Sequence, residues 1–339
     1  MGTKITRRQI GVGAATLAAF GILHYPASAA EFTYKLGHDQ TVTHPQHLRV
    51  VEAAKKIAEE TSGRLVVNVF PNSQLGSDSQ MMAQVRSGAL ELTQIGDIIF
   101  GDLVPVASLA ALPFAFVTPA DLWAAMDGDL GNYIHAELEK KLALHVFEKG
   151  WDAGVRHLFT SEKPIHQAAD LDGMKLRVPA GALALSLFKG LGASPTTVPS
   201  AEVYTALQTH LVDGAEGPLV TIENSKYYET TKYISLTSHM QTPFEMVANG
   251  QAWRRLPEKL QEVLSRNMNE AALAERANIA TGDDQLLAQL KTQGQEIIVP
   301  DKGSFREVLR EANLYARWRD MYGGPVPFAL VEKVSGKLI

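Results

Sequence analysis

The sequence predicts an α/β protein of two lobes with a cleft between them, and three observations carry that expectation. Strand-like apolar runs alternate with helical stretches from Glu31 onward, which is the pattern of a mainly parallel sheet. The alternation restarts near Gly154 and so marks a second α/β unit. Phe244 to Ala248 reads as a strand returning to the first unit, so the chain crosses between the lobes more than once, as a hinge requires.

In the first unit, Phe32-Thr-Tyr-Lys-Leu36 alternates as a strand and ends in the polar loop Gly37-His38-Asp39-Gln40. Pro45 to Glu60 is helical, with Val50, Ala54 and Ile57 on one stripe and Gly63 as its stop. Arg64 to Phe70 is a near-continuous apolar run, suited to a strand covered on both faces. Ser77 to Ser87 reads as a helix and Glu91 to Ile95 as the third strand.

In the second unit, Val155 to Thr160, Met174 to Val178 and Ser194 to Val198 read as strands, and Ala182 to Gly190 and Glu202 to Gln208 as helices. Val212 to Pro218 is a strand running into a loop. Leu256 to Gln293 is largely helical, Glu296 to Val299 is a short strand, and helices close the chain. The expected division is 1–30 as an export segment, 31–153 plus about 243–282 as lobe I, 154–242 plus about 283–310 as lobe II, and 311–339 as a C-terminal helical segment.

The bulk properties exclude several classes. The chain has 339 residues, of which 45% are hydrophobic and 20% charged, and a net charge of −5, so it carries no basic footprint for nucleic acid or an anionic membrane. Cysteine is absent, which removes disulfides, thiolate metal sites and a cysteine nucleophile. The compartment is read from the N-terminus. Lys4, Arg7 and Arg8 form a basic start, Ile10 to Ile22 is uncharged, and Ala27-Ser28-Ala29-Ala30 is an A-x-A-like cleavage signal. The apolar run is short for a membrane span, and Thr6-Arg7-Arg8-Gln9-Ile10 is similar to a twin-arginine export motif. Either export route carries the mature chain out of the cytoplasm. Gly11-Val-Gly13 lies inside this segment with no strand before it, so it is not a dinucleotide fingerprint.

Enzyme signatures are missing: there is no G-x-S-x-G elbow, H-E-x-x-H, P-loop or kinase set. His44 and His47 near a helix start could ligate a metal if a carboxylate joined them, or could be a solvated helix end. Asp39, Asp78 and Asp97 stand at strand or helix ends that could face one cleft, for acid–base work or for capping and solvation. Glu216 beside Asp213 could be a catalytic pair or a carboxylate fixing a turn.

A binding constellation remains. In Met174-Lys175-Leu176-Arg177-Val178-Pro179, alternation puts Arg177 opposite the core face, and Pro179 stops the ladder because it has no N–H to donate. The carboxyl end of such a strand opens on the crevice where α/β folds bind ligands. Arg156 lies on the preceding strand, so both guanidinium forks can aim at one carboxylate. Phe114, Trp151 at the presumed hinge, and Phe244 offer apolar walls or simply fill core.

Phe70-Pro-Asn-Ser-Gln-Leu-Gly-Ser77, Leu112-Pro-Phe114, Gly173-Met-Lys-Leu-Arg-Val-Pro179, Gly192-Ala-Ser-Pro195, Glu202-Val-Tyr-Thr-Ala-Leu-Gln208, Val212-Asp213-Gly214 and Asn224-Ser-Lys-Tyr-Tyr-Glu229 occur in order across the chain. Together they resemble the solute-binding proteins of TRAP transporters (the DctP-like family). The resemblance implies a two-lobed periplasmic binding protein fold, not an enzyme, with no cofactor or metal. It implies a monomer that closes on a small organic acid anion and delivers it to membrane permease subunits. Arg177 matches the family arginine that pairs with the ligand carboxylate, and Arg156 matches a second arginine used by some members. Asp39, Ser77 and Asp78 match loop positions of polar contacts.

Three positions depart from the family pattern. Gly217 replaces an asparagine, Ser200 a large apolar residue, and Gly96 a glutamate of sialic-acid binders. The expectation is a roomier, less polar pocket for an aromatic or bulky monocarboxylate. The alternatives are an ordinary small hydroxy, keto or dicarboxylic acid, or a periplasmic enzyme acting on an organic acid.

Overall fold

The computed structural model describes residues 30–338, so the expected export signal lies outside the described residues apart from Ala30. The strands are β1 (Phe32–Gly37), β2 (Leu65–Phe70), β3 (Leu92–Gly96), β4 (Leu144–Val146), β5 (Trp151–Thr160), β6 (Lys175–Val178), β7 (Ser194–Thr197), β8 (Gly214–Pro218), β9 (Tyr233–Asn249) and β10 (Glu296–Ile298). They form one ten-stranded sheet in the order β2-β1-β3-β9-β5-β8-β6-β7, with β4 and β10 attached to β9.

The sheet is mixed rather than mainly parallel. Its wings are parallel: β1 pairs β2 and β3, and β6 pairs β7 and β8. Its middle is antiparallel: β9 pairs β3 and β5, and β5 pairs β8. The wings follow helix crossovers, which make parallel neighbours. The centre consists of strands that run from one lobe into the other. At 17 residues, β9 is roughly 55 Å long at about 3.3 Å per residue, enough to serve both lobes. Sequence reading captured only its end from Phe244, because Pro243 argues against a central strand. Pro243 lies opposite Asp152 where the β5–β9 register slips, and such a bulge tolerates a residue with no N–H.

Each wing is covered by helices. Helix Pro45–Glu60 buries Val50, Ala53, Ala54 and Ile57 beneath helix Glu258–Ala280. Ile57 is fully buried, so Ile57→Ala should cost about 2–5 kcal/mol, its transfer energy plus the cavity left behind. Helix Ala182–Gly190 places Leu183, Ala184, Leu187 and Phe188 in the core of the other wing. The region from Asp97 to Leu142 is helical, including Pro119–Met126 and Asp129–Leu142, which the sequence reading left unassigned. The closing helices straddle the molecule: Lys302–Glu311 and Leu314–Met321 pack on Ala182–Gly190, while Pro325–Ser335 packs on Pro119–Met126 and Asp129–Leu142. No helix among the described residues is long and apolar enough to cross a membrane.

Candidate functional site

A cavity of about 490 Å³ opens where the carboxyl ends of β1, β3, β6 and β8 converge. That position follows from the wings: parallel strands leave their loops on one side, and the loops of the two lobes face each other across the cleft. The size falls within the range usual for small-molecule sites. Asp39, Asp78, Gly96, Arg156, Arg177, Ser200, Glu216, Gly217, Tyr227 and Phe244 all line it.

Arg177 stands one residue before the end of β6, at the cavity, and is only 7% exposed. Its Nε donates to the Val198 carbonyl at 2.9 Å, and among the described residues no carboxylate lies within ion-pair distance. Burial pushes its pKa down. A desolvated cation without a counter-ion is costly, so this end of the cavity favours an anion. The arrangement leaves the terminal nitrogens free for it.

Arg156 is differently employed. Its Nε and Nη2 donate to the two carboxylate oxygens of Glu216 at 2.5 and 2.6 Å, and Nη2 also reaches the Glu216 carbonyl at 3.2 Å. The register explains the meeting, since Arg156 of β5 is opposite Pro218 of β8 and Glu216 opposite Leu158. His239 Nε2 lies 3.2 Å from the same carboxylate, and Thr237 Oγ1 lies 2.8 Å from His239 Nδ1. Burial alone would raise the Glu216 carboxyl, but the Arg156 charge and the hydrogen bonds outweigh it and hold it at about 2. Of the two readings of Glu216, the pair with Asp213 does not form: Asp213 instead accepts from the backbone N–H of Lys175 at 2.8 Å.

Opposite the arginines stand two aspartates. Asp39, in the loop after β1, accepts from Ser200 Oγ at 2.8 Å and Gln40 Nε2 at 2.9 Å. Asp78 begins helix Asp78–Ser87, and its Oδ1 is buried with no hydrogen-bond partner among the described residues. Burial raises both carboxyls; the Asp39 charge adds to the rise at Asp78, and the Ser200 hydrogen bond and Arg177 oppose the rise at Asp39. The Ser200–Asp39 bond also crosses the cleft. Thr43 to Asn224, and the Ala182 N–H to Asp102 at 3.0 Å, cross it too, so the lobes are closed.

Other expected site residues are placed elsewhere. Ser77 lies outside the cavity lining and its hydroxyl caps helix Asp78–Ser87 in a capping box with Gln80. Trp151 opposes Phe244 in the β5–β9 pair but is fully buried in core, with no cavity face. Phe114 packs near Phe305 and likewise stays outside the lining. Asp97 is fully buried away from the cavity, both carboxylate oxygens lacking partners. His44 is not a solvated helix end: it is 1% exposed and caps helix Pro45–Glu60 by accepting from Gln46 N. Among the described residues no group of three or more His, Cys, Asp or Glu side chains is placed to hold a metal ion.

The expected loss of polarity is also corrected. Asp39, Asp78, Gln40, Asn72, Thr221, Thr242 and Asn224 line the walls. The room expected at Gly96 is filled, since a Cβ there would meet Phe244 at 3.3 Å and Thr242 at 3.4 Å. Room does remain at Gly217, where a Cβ would meet only Phe159, at 3.5 Å. Sequence reasoning missed the Arg156–Glu216 pair, 60 residues apart, and Tyr227. Tyr227 stacks on Phe159 with ring centres 5.5 Å apart, and it was visible only as part of Asn224-Ser-Lys-Tyr-Tyr-Glu229.

A two-lobed α/β clamp with an unpaired arginine in its cleft defines a solute-binding protein. Residues 36–318 match the family described as bacterial extracellular solute-binding protein, family 7 (DctP), and the chain belongs to that family, the solute-binding proteins of TRAP transporters. The 2,3-diketo-L-gulonate-binding periplasmic protein YiaO of Escherichia coli is 31% identical over 316 residues, 92% of each chain. The sialic acid-binding periplasmic protein SiaP of Vibrio cholerae is 29% identical, over 88% of this chain and 91% of that one. Among solved structures, the TRAP solute-binding protein of Sulfurospirillum deleyianum with bound succinate matches with a TM-score of 0.84 and 29% identity, over 91% of this chain and 99% of that one. The sugar acid binding protein DctPAm of Advenella mimigardefordensis with galactonate gives 0.85 and 27%, over 91% and 98%.

Proposed function

We propose that this chain is exported to the periplasm, captures a small organic acid through its carboxylate, and delivers it to the membrane subunits of a TRAP transporter. The observation that carries the reading is Arg177: buried, facing the cavity, and with no carboxylate among the described residues within ion-pair distance. A ligand carboxylate completes it with two parallel N–H···O bonds. Arg156 shapes the wall through Glu216 instead of binding directly, and Asp39, Asp78 and Ser200 face the rest of the ligand. On this reading the hinge lies in β5 and β9, with 31–153 plus about 243–282 as lobe I, 154–242 plus about 283–310 as lobe II, and 311–339 as a C-terminal helical segment.

A hydroxylated aliphatic acid suits the lining better than an aromatic one, because the walls offer carboxylates, amides and hydroxyls. Structural relatives crystallised with galactonate and succinate support an aliphatic acid of that size. At the arginine end Glu216 is bound to Arg156 and His239 rather than free to act as a base. The experiment is a thermal-shift panel of sugar acids, dicarboxylates and aromatic acids, on the wild type and on Arg177→Ala. Aliphatic acids should raise the melting temperature of the wild type and not of the variant. A panel in which only aromatic acids stabilise the protein would replace this ligand class, and one in which no acid does would remove the function.

A further inference from the structure

The cavity's charges do not balance once a carboxylate is bound at Arg177. Arg156 and Glu216 neutralise each other through two short hydrogen bonds. Lys226 reaches the rim but is exposed, so water screens it. The remaining charged groups are Arg177 on one side and Asp39 and Asp78 on the other. A bound monocarboxylate would make three negative charges against one positive in a desolvated space. Such an excess is relieved by protonation or by rejecting the ligand that adds to it.

The two aspartates are not equivalent. Asp39 has its oxygens engaged by Ser200 and Gln40, both donors, which suits an ionised carboxylate. Asp78 has a buried oxygen with no donor among the described residues, and an oxygen that nothing donates to is better tolerated on a carboxylic acid than on a carboxylate. We propose that the Asp39–Asp78 pair sets the charge of the ligand: the site takes an acid with one carboxylate and hydroxyl groups at its other end, disfavours dicarboxylates, and holds a proton on Asp78 in the complex. This rests on the reading that Arg177 binds the carboxylate. The groups facing Asp78 from the surrounding elements agree with it: burial and the Asp39 charge favour the protonated form, and only Arg177 on β6 opposes it.

The test is calorimetry on the mature protein with D-galactonate and with succinate, at pH 6 and pH 8.5, in paired buffers of different ionisation heat. Wild type should prefer galactonate by at least about tenfold, since a second desolvated carboxylate finds no partner. Galactonate binding should weaken toward pH 8.5 and take up protons there, because the ligand's added negative charge makes the complex hold the Asp78 proton more tightly than the free protein does. Asp78→Asn should abolish both the uptake and the pH dependence. Asp39→Asn, whose amide can still meet Ser200 and Gln40, should narrow the galactonate–succinate gap by about tenfold. Equal affinity for the two acids in wild type overturns the charge selection, and so does an unchanged ratio in Asp39→Asn. Loss of galactonate binding at pH 6 in Asp78→Asn, the neutral isostere of the protonated acid, overturns the proton on Asp78. If neither acid binds, the carboxylate reading itself fails; if both bind without discrimination, only the present inference does.

Discussion

Arg156 and Arg177 reach one cavity from neighbouring parts of the sheet, yet their surroundings give them opposite work. Arg156 meets Glu216 in a two-pronged ion pair, closed further by His239 and Thr237. Among the described residues Arg177 meets only the Val198 carbonyl as a hydrogen-bond partner. Both side chains are nearly as buried as each other, at 6% and 7% exposure. Lining a cavity therefore does not make an arginine a ligand contact. What separates them is whether the protein has already supplied the anion.

Substituting each arginine should separate affinity from stability. Arg177→Ala should weaken binding of the cognate acid at least about a hundredfold, because losing one partner of a desolvated ion pair costs about 3–5 kcal/mol and each tenfold is about 1.4. It should leave the unliganded protein about as stable as before, since no protein carboxylate loses its partner. Arg156→Ala should do the reverse. Glu216 would be left as a buried carboxylate without its counter-ion and with His239 as its remaining partner, costing about 3–5 kcal/mol of unfolding free energy, with affinity reduced only through the distorted wall. Denaturant melts beside calorimetry check both, and a destabilised Arg177→Ala with normal affinity would erase the distinction.

A gentler probe of the Arg156 side is pH. The Glu216 carboxyl sits at about 2, below its ordinary 4.5. Its contribution is therefore fully present above pH 4.5 and is lost as pH falls toward 2. The stability advantage of wild type over Glu216→Gln should approach about 3 kcal/mol near neutrality and shrink to nothing in acid. An advantage that stays constant across that window would show that the pair is held by packing rather than charge.

How far these roles were legible in the sequence differs between the two arginines. Arg177 could be placed from its own segment, because strand alternation, the stop at Pro179 and the crevice rule are local. Arg156 could be placed on a strand, but its partner could not, because Glu216 arrives through a β5–β8 register that no local pattern encodes. The same limit applies to Trp151 and Asp97, whose burial depends on strands and helices from remote segments. The wings of the sheet were readable because helix-crossed parallel strands announce themselves by period. The antiparallel centre was not, because Pro243 masks a strand that a bulge makes possible.

Gly217 offers the smallest and most local test of the contrast, since it follows Glu216 on β8 and faces the cavity. The backbone there is not in the left-handed region, and a new Cβ meets only Phe159 at ordinary contact distance. Gly217→Asn should thus leave unfolding free energy within about 0.5 kcal/mol, as for a substitution without strain or lost contacts. The added amide can donate to a carboxylate held by Arg177, and a hydrogen bond to a charged group is worth about 1.5–3 kcal/mol before the side chain's ordering cost of up to about 1.5. The net expectation is a gain of up to about tenfold in affinity. A tenfold loss instead would mean that the ligand itself fills the space beside Gly217, so that the glycine is there to admit ligand volume and the carboxylate is held by Arg177 alone.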